Sequence, residues 1–169
     1  CLTTNAGWHG RAGLSSVVFK GEIYVLGGSF NDDSSIVGGP PVRLYFNDVW
    51  KSRDGANWVP VTTNAPWAPR AGGAVVAKDG YIYLLGGGMG SSWTPVSFVQ
   101  VYDINANTWS QATPMPGPRI GGAAACVNDR YLVYSGGCTA AGRGRSNTWV
   151  GEIDPYDPTI IVWKAASPN

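Results

Sequence analysis

The stretch RAGGAVVAKDGYIYLLGG, residues 70–87, decides the fold of this chain, because the chain contains it three times in diverged form. The other copies occupy 11–28 and 119–137, and each copy begins with an arginine, continues through an apolar run and closes on a pair of glycines. A tryptophan follows each copy about twenty to thirty residues later. A repeat of about fifty residues is one supersecondary unit, which buries its faces only by stacking on further copies of itself.

Four short strands are predicted within each repeat. In the second copy, two strand-like runs at 74–77 and 81–85 are joined through Asp79-Gly80, a strong hairpin signal. A third run at 99–102 alternates apolar and polar residues with the period of a sheet, and Trp109 opens a fourth after an Asp- and Asn-rich turn. Four antiparallel strands without helical periodicity describe one blade of a β-propeller.

The glycine pairs, the aromatic residues before them and the later tryptophans resemble the kelch-repeat family. The residues that carry the resemblance are Gly27, Gly28, Gly86, Gly87, Gly136 and Gly137, Tyr24, Tyr83, Tyr134 and Tyr102-Asp103, and Trp58, Trp109 and Trp163. We expect the glycines and the tryptophans to be structural. The resemblance spans essentially the whole chain and implies an all-β β-propeller segment of three four-stranded antiparallel kelch-type blades, part of a larger ring.

Three blades do not close a propeller ring, because such rings have about four to eight. We expect one structural unit over residues 1–169, with blades at approximately 10–58, 69–109 and 118–163 and linkers at 59–68 and 110–117. An open arc exposes an apolar face at each end, so we expect further blades from the same chain or from a second copy. Cys1 falls inside a repeat linker and no start signal precedes it, which favours a missing remainder.

Composition excludes two classes of partner. Charged residues make up 14% of the chain and the formal net charge is +1, so no broad basic face is available for nucleic acid. No uninterrupted apolar run approaches the roughly 20 residues of a membrane span. The three cysteines are an odd number and leave the redox compartment open. Low charge and abundant Trp, Gly and Thr favour an extracellular or cell-surface location, and a cytoplasmic one stays open.

The long loops of the predicted blades are the expected binding site, since ligand-binding residues concentrate on loops held by a rigid scaffold. These loops, at 29–46, 88–97 and 138–146, all emerge on one side of the blades. Exposed aromatics beside Asp and Arg suit sugar rings or protein hot spots. The candidate ligand-binding residues are Trp93, Tyr45, Phe46, Arg43, Asp32, Asp33, Arg143 and Arg145.

Some residues in or near these loops recur from repeat to repeat. Trp8 and Trp67 hold the same repeat position and are expected to cover blade junctions, whereas Trp93 is absent from the other copies and is the better ligand candidate. Arginines begin each copy, at Arg11, Arg70 and Arg119. We expect them to hydrogen-bond carbonyls of the adjacent blade; the alternative is a ring of cations around a central funnel that binds an anion.

A turn near the end of the first repeat resembles the Asp box of sialidase-type propellers. It runs over residues 47–58, but Asp54 and Gly55 are adjacent where that box has a residue between them. We expect Asp54 to accept backbone N–H groups and Trp58 to anchor the turn, so both are structural.

Residues for catalysis are scarce. His9 is the only histidine, which excludes a metal centre built on two or three histidines and the copper site of proteins that resemble galactose oxidase. The acidic neighbours Asp32-Asp33 and Asp154 with Asp157 lack the spacing of a calcium loop and are expected to be solvated turn carboxylates. We therefore expect no catalytic residue, no metal and no cofactor.

The sequence leaves three functions open. The first is a non-catalytic scaffold that binds a protein or glycan through its long-loop face. The second is part of a carbohydrate-acting propeller enzyme, of epimerase or oxidase type, whose site missing blades would complete. The third is a structural subunit that assembles through its open faces.

Overall fold

Three four-stranded antiparallel sheets form the framework of the protein, a computed structural model that describes residues 1–31, 43–90 and 92–167. Within these ranges there is no helix, and therefore none that is long and apolar enough to cross a membrane. The strands are β1 (Ser15–Phe19), β2 (Glu22–Leu26), β3 (Ser29–Asn31), β4 (Arg43–Tyr45), β5 (Val49–Ser52), β6 (Val59–Thr62), β7 (Ala74–Lys78), β8 (Tyr81–Leu85), β9 (Gly88–Met89), β10 (Thr94–Pro95), β11 (Val99–Asp103), β12 (Thr108–Ala112), β13 (Ala123–Val127), β14 (Tyr131–Ser135), β15 (Thr148–Ile153) and β16 (Ile161–Ser167).

Each sheet is one repeat and one blade. Blade 1 is β1-β2-β5-β6, blade 2 is β7-β8-β11-β12 and blade 3 is β13-β14-β15-β16, each in sequence order. The fourth strand β6 lies entirely within the stretch 59–68, and β12 extends into the stretch 110–117, which the sequence analysis assigned to linkers. The long connections of blades 1 and 2 contain the extra hairpins β3–β4 and β9–β10. The predicted all-β fold of four-stranded antiparallel blades is confirmed.

The turn between the first two strands of each blade sets the register of the sheet. Two successive residues of this turn have positive φ in every blade: Lys20 and Gly21, Asp79 and Gly80, and, in a turn that is one residue longer, Asn128 and Asp129. Two successive residues of this kind make the tight hairpin turn whose twist matches that of the flanking strands. Glycine, asparagine and aspartate adopt this backbone most readily, which explains the Asp-Gly signal in the sequence.

Alternate residues of a strand face opposite neighbouring blades, so the core lies between the blades. Ile82 and Leu84 of β8 join a buried cluster with Tyr24 and Leu26 of blade 1. Their neighbour Tyr83, like Leu85, joins a second cluster with Leu132, Tyr134 and Trp149 of blade 3. Blade 2 is thus buried on both faces, as the two-residue period of its strands predicts.

The glycine pairs connect each blade to the next. Gly28 donates its backbone N–H to the carbonyl oxygen of Arg70 at 2.9 Å, and Gly87 donates in the same way to Arg119 at 2.9 Å. Glycine is needed there because a Cβ on Gly86 would lie 2.6 Å from the carbonyl oxygen of Arg119. The recurring arginine and glycine pair therefore belong to one inter-blade contact.

The sequence alignment of Tyr134 with Tyr24 and Tyr83 was wrong. The third copy is one residue longer than the others, so Tyr134 stands two residues before its glycine pair where Tyr24 and Tyr83 stand three residues before theirs. A shift of one residue turns a strand side chain to the other face. Tyr134 therefore points back toward blade 2, and Val133 occupies the position equivalent to Tyr83.

Each end of the three-blade array has an apolar face that is partly open to solvent. Val18 of blade 1 is 65% exposed, and Val127 and Val162 of blade 3 are 41% and 54% exposed. Their strand neighbours pack into the inter-blade clusters, so these three side chains point the opposite way. Apolar surface in this position is what three laterally stacked blades leave at their two ends.

Candidate functional site

Two sides of the blades are distinguished by their connections. The long-loop face has the connections from second to third strand, including β3–β4, β9–β10 and the loop 138–146. The turn face is the opposite side, with the hairpin turns at 20–21, 79–80 and 128–129 and the turns between third and fourth strands. The predicted ligand residues belong to the long-loop face.

The structure brings two predicted ligand residues together on the long-loop face. Tyr45 closes β4 in blade 1 and Trp93 precedes β10 in blade 2, and their ring centroids are 5.7 Å apart at an interplanar angle of 73°. Trp93 has a positive φ of 51°, and its backbone N–H donates a hydrogen bond to the carbonyl oxygen of Gly90. Both side chains are half-buried. The two loops thus form one aromatic contact across a blade junction.

Phe46, a third predicted ligand residue, has a packing role. The guanidinium carbon of Arg11 lies 4.0 Å from the centre of its ring, and the ring of His9 lies 5.6 Å away. Its backbone N–H donates to Gly28 and its carbonyl oxygen accepts from Arg70, so the residue joins blades 1 and 2.

The remaining candidates are distributed over the same side. Arg143 and Arg145 are exposed in the loop after β14, and the N–H of Arg145 donates to the carbonyl oxygen of Gly137 at 2.9 Å. Arg43 lies in β4, opposite Asn31 in the register of the hairpin. Asp32 and Asp33 lie outside the described residues.

The recurring arginines are buried beneath this face. Arg11 donates to the carbonyl oxygen of Gly27 at 3.0 Å and Arg70 to that of Gly86 at 3.3 Å. These carbonyls belong to the same repeat as the arginine, so the expectation of carbonyls from the adjacent blade was wrong. The reason is that the arginine of each repeat lies beside its own glycine pair, which follows two strands later.

Arg70 differs from Arg11 in its charge environment. It is 2% exposed, it forms no ion pair within the described ranges, and the rings of Trp67 and Phe98 lie 5.7 Å from its guanidinium. Burial lowers the pKa of Arg70 to about 10. Burial also lowers the pKa of Arg119, and the nearby charge of Arg145 lowers it further. These side chains are enclosed in the structure and do not line an open anion funnel.

His9 and the cysteines are the other groups with catalytic or metal-binding chemistry. The His9 ring lies 4.7 Å from Phe30, and its Nδ1 is 2.9 Å from the carbonyl oxygen of Gly10. Cys1, Cys126 and Cys138 are free thiols. The described ranges contain no group of three His, Cys, Asp or Glu side chains placed to hold a metal ion.

The turn that resembles an Asp box is held by Asp54. Its carboxylate accepts the backbone N–H groups of Ala56 and Asn57 at 2.8 and 2.7 Å, and the indole N–H of Trp58 donates to Gly55 at 3.0 Å. These hydrogen bonds hold the pKa of Asp54 well below its usual range. The interactions are those of a structural turn.

The turn face carries a cleft that sequence reasoning missed. It has a volume of about 610 Å³, lies between blades 2 and 3, and is lined by Lys78, Asp79, Tyr81, Tyr83, Asp129, Arg130, Glu152, Ile153, Asp154, Pro155, Tyr156 and Pro158. Three turns from two blades form its walls, so no single stretch of sequence marks it. The available signal was Tyr156, an aromatic residue between Asp and Pro in a turn, which is 95% exposed.

Comparison with known proteins agrees with the repeated blades of the structure. The Kelch motif model matches residues 69–116, which span blade 2. Alpha-scruin of Limulus polyphemus is 32% identical over 158 residues, covering 91% of this chain and 16% of that protein. Kelch-like protein 36 of Mus musculus is 34% identical over 130 residues, covering 75% of this chain and 19% of that protein. This chain thus spans less than a fifth of the length of either relative.

A solved structure agrees at the level of the fold. The structure of YjhT matches with a TM-score of 0.71 and 15% identity, covering 94% of this chain and 46% of that one. The motif match, the two relatives and three blades joined through their glycine pairs lead to one conclusion: this chain belongs to the kelch-repeat family and is a β-propeller scaffold.

Proposed function

We propose that the three blades are a non-catalytic scaffold that binds a protein partner through the long-loop face. The observation that carries this proposal is the contact between Tyr45 and Trp93, which two loops of different blades hold 5.7 Å apart. Aromatic residues anchored in this way are typical of the energetic centres of protein interfaces. Because paired strands adjoin both residues, β3–β4 at Tyr45 and β9–β10 beside Trp93, little conformational entropy of these two residues is lost when a partner binds.

Charge on the same face supports a protein partner. Arg143 and Arg145 are exposed and form no ion pair within the described part of the chain. Exposed arginines on the same side of the blades as an aromatic contact favour a partner that offers apolar and acidic side chains, because complementary charge accelerates association and selects the partner.

The geometry favours a protein over a glycan. Sugars stack on the open flat face of an aromatic ring, whereas Tyr45 and Trp93 meet edge to face and are both half-buried. The enzyme alternative receives no support from His9, which is packed between Phe30 and Phe46. We also propose that further blades cover the open faces at Val18 and Val162, and that the scaffold acts outside the cell or at its surface.

A peptide-display experiment tests the protein-binding proposal. A random peptide library is selected on the immobilised chain, and the recovered peptides are measured against Tyr45→Ala, Trp93→Ala and, as a control on the turn face, Asp129→Asn. We expect peptides whose binding is lost with the first two variants and kept with the third. A parallel glycan array with Trp93-dependent binding, or peptides insensitive to both aromatic variants, would overturn the proposal.

A further inference from the structure

The cleft on the turn face has the dimensions and lining of a binding site, and it is separate from the long-loop face. Its volume of about 610 Å³ lies in the range of about 300–1,000 Å³ that is usual for ligand pockets. The hairpin turn at Asp79, the hairpin turn at Asp129 and the loop 154–158 form its walls. Tyr81 and Tyr83 line it from strand β8.

Tyr83 contributes a hydroxyl for which the described part of the chain supplies no hydrogen-bond partner, and the residue lines the cleft. The residue as a whole is 1% exposed. Burial, with the nearby Tyr81 and Asp79, raises the pKa of Tyr83 well above its ordinary value. The phenol therefore stays protonated, and its oxygen has free hydrogen-bonding capacity at the cleft. The hydroxyl is therefore available to a ligand in the cleft.

The equivalent tyrosine of blade 1 shows what closes such a site. The hydroxyl of Tyr24 donates to Glu22 at 3.0 Å, and Glu22 also accepts from Lys51 at 3.1 Å and Arg53 at 3.2 Å. Blade 2 has Tyr81 at the position of Glu22, so Tyr83 has no such carboxylate. The hydroxyl of Tyr24 thus has a hydrogen-bond partner within blade 1, whereas the equivalent space next to Tyr83 is part of the cleft between blades 2 and 3.

The charges that line the cleft are unbalanced. Its carboxylates are Asp79, Asp129, Glu152 and Asp154, and its cations are Lys78 and Arg130. Both cations are already paired, Lys78 with Asp79 and Arg130 with Glu152. Asp154 accepts two backbone N–H groups through one oxygen, and Asp129 forms no ion pair within the described ranges. The surplus of two carboxylates favours a cationic ligand.

We propose that this cleft binds an arginine side chain from an extended segment of a protein partner. The guanidinium pairs with Asp129 and Asp154 and donates to the hydroxyl oxygen of Tyr83. The rings of Tyr81 and Tyr156 flank it, since planar guanidinium groups stack on aromatic faces. The scaffold then has two independent binding faces, the long loops for one partner segment and the turn-face cleft for a basic one.

The test uses small blocked amino acids as probes. N-acetyl-arginine amide is titrated into the isotope-labelled chain and followed by amide NMR shifts, with N-acetyl-citrulline amide as the neutral probe of nearly equal shape. We expect a saturable shift confined to residues 78–81, 128–130 and 152–158 with the arginine probe and none with citrulline. Equal shifts with both probes, no saturable shift, or shifts centred on the long loops would each overturn the proposal.

Two variants locate the contact without disturbing the fold. Asp129→Asn keeps the size of the side chain, and asparagine tolerates the positive φ of 47° at this position. Tyr83→Phe removes only a hydroxyl for which the described part of the chain supplies no hydrogen-bond partner. Each variant should weaken binding of the arginine probe by about threefold to fivefold, as for one ion pair or hydrogen bond at a partly open site.

Trp93→Ala is the matched control on the other face. It should leave binding of the arginine probe unchanged, even where it abolishes peptide binding at the long loops. Unchanged binding in both cleft variants, or a loss in Trp93→Ala, would contradict a separate site. The two proposals therefore fail independently.

Discussion

Arg11 and Asp48 form a buried ion pair in blade 1, in which both Nη atoms of the guanidinium contact the carboxylate. The Nη2–Oδ2 distance is 2.9 Å, and the side chains are 1% and 14% exposed. The indole N–H of Trp50 donates to the same carboxylate at 2.8 Å. The residues equivalent to Asp48 are Phe98 in blade 2 and Asn147 in blade 3. In each blade the backbone carbonyl of this residue accepts the N–H of the first glycine of the pair, which is Gly27, Gly86 or Gly136.

Removal of this carboxylate should destabilise the protein. In Asp48→Ala the guanidinium of Arg11 stays buried without a counter-charge, which costs about 3 kcal/mol of unfolding free energy. Urea denaturation measures the loss. Asp48→Asn is the matched control, because Asn147 already accepts a hydrogen bond from Arg119 at 3.1 Å, and it should cost on the order of 1 kcal/mol. Equal costs for the two variants would contradict a role for the charge.

Trp109 is expected to be a main packing residue of the junction between blades 1 and 2. Its ring stacks on Tyr102 with centroids 4.9 Å apart and meets Trp67 edge-on at 5.7 Å. Trp109→Ala should cost about 3–5 kcal/mol through the cavity it leaves, measured by thermal or urea unfolding. Trp93→Ala, in a loop, should change stability by about 1 kcal/mol or less. An unchanged midpoint in Trp109→Ala would reject the assignment.

The Asp54 turn should contribute to the pH dependence of stability. Backbone and side-chain hydrogen bonds from Asn57 and Ala56 lower the pKa of Asp54 in the folded protein below the ordinary 3.8. A lowered folded-state pKa gives stability that is present above pH 4 and is lost as the pH falls, because the unfolded chain takes up the proton first. The stability difference between the protein and Asp54→Asn should therefore be largest at pH 7.

Unfolding curves of both proteins from pH 7 down to pH 2 measure this difference. It should narrow steadily below pH 4 as the carboxyl of Asp54 loses its ionic hydrogen bonds. A difference that stays constant over the whole range would mean that the charged form of Asp54 contributes nothing to the turn.

The fold was predictable because its signals are local and repeated. The hairpin at Asp79-Gly80 and the backbone of Gly86-Gly87 restrict the chain within a few residues, and three copies of each made the blade evident. Tyr134 was assigned to the wrong face because the third copy does not repeat the spacing of the other two. One extra residue in the third copy moved it to the other face of its strand, which a comparison of motifs alone does not detect.

The candidate sites were less predictable because they depend on contacts between blades. The contact between Trp93 and Tyr45 could be predicted only from the relative position of two loops. The sequence showed only that Trp93 is absent from the other repeats. The cleft at Tyr83 combines turns far apart in the chain. The exchange of Glu22 for Tyr81, which leaves the hydroxyl of Tyr83 without a carboxylate, becomes meaningful only once Tyr24 and Glu22 are seen in contact.

The central claim is that the glycine pairs of blades 1 and 2 each receive the arginine carbonyl of the next blade. A Cβ on Gly27 would lie 2.7 Å from the carbonyl oxygen of Arg70 and one on Gly86 would lie 2.6 Å from that of Arg119, whereas the nearest atom to a Cβ on Gly136 is 3.5 Å away. All three residues have φ between 59° and 71°, so the backbone strain of an alanine is the same at each.

The most direct measurement is the unfolding free energy of Gly27→Ala, Gly86→Ala and Gly136→Ala in this chain. Backbone strain alone predicts a loss of about 1 kcal/mol for Gly136→Ala. Overpacking against the next blade adds about 1–3 kcal/mol for the other two. Equal losses at all three positions would contradict lateral stacking of the blades through their glycine pairs.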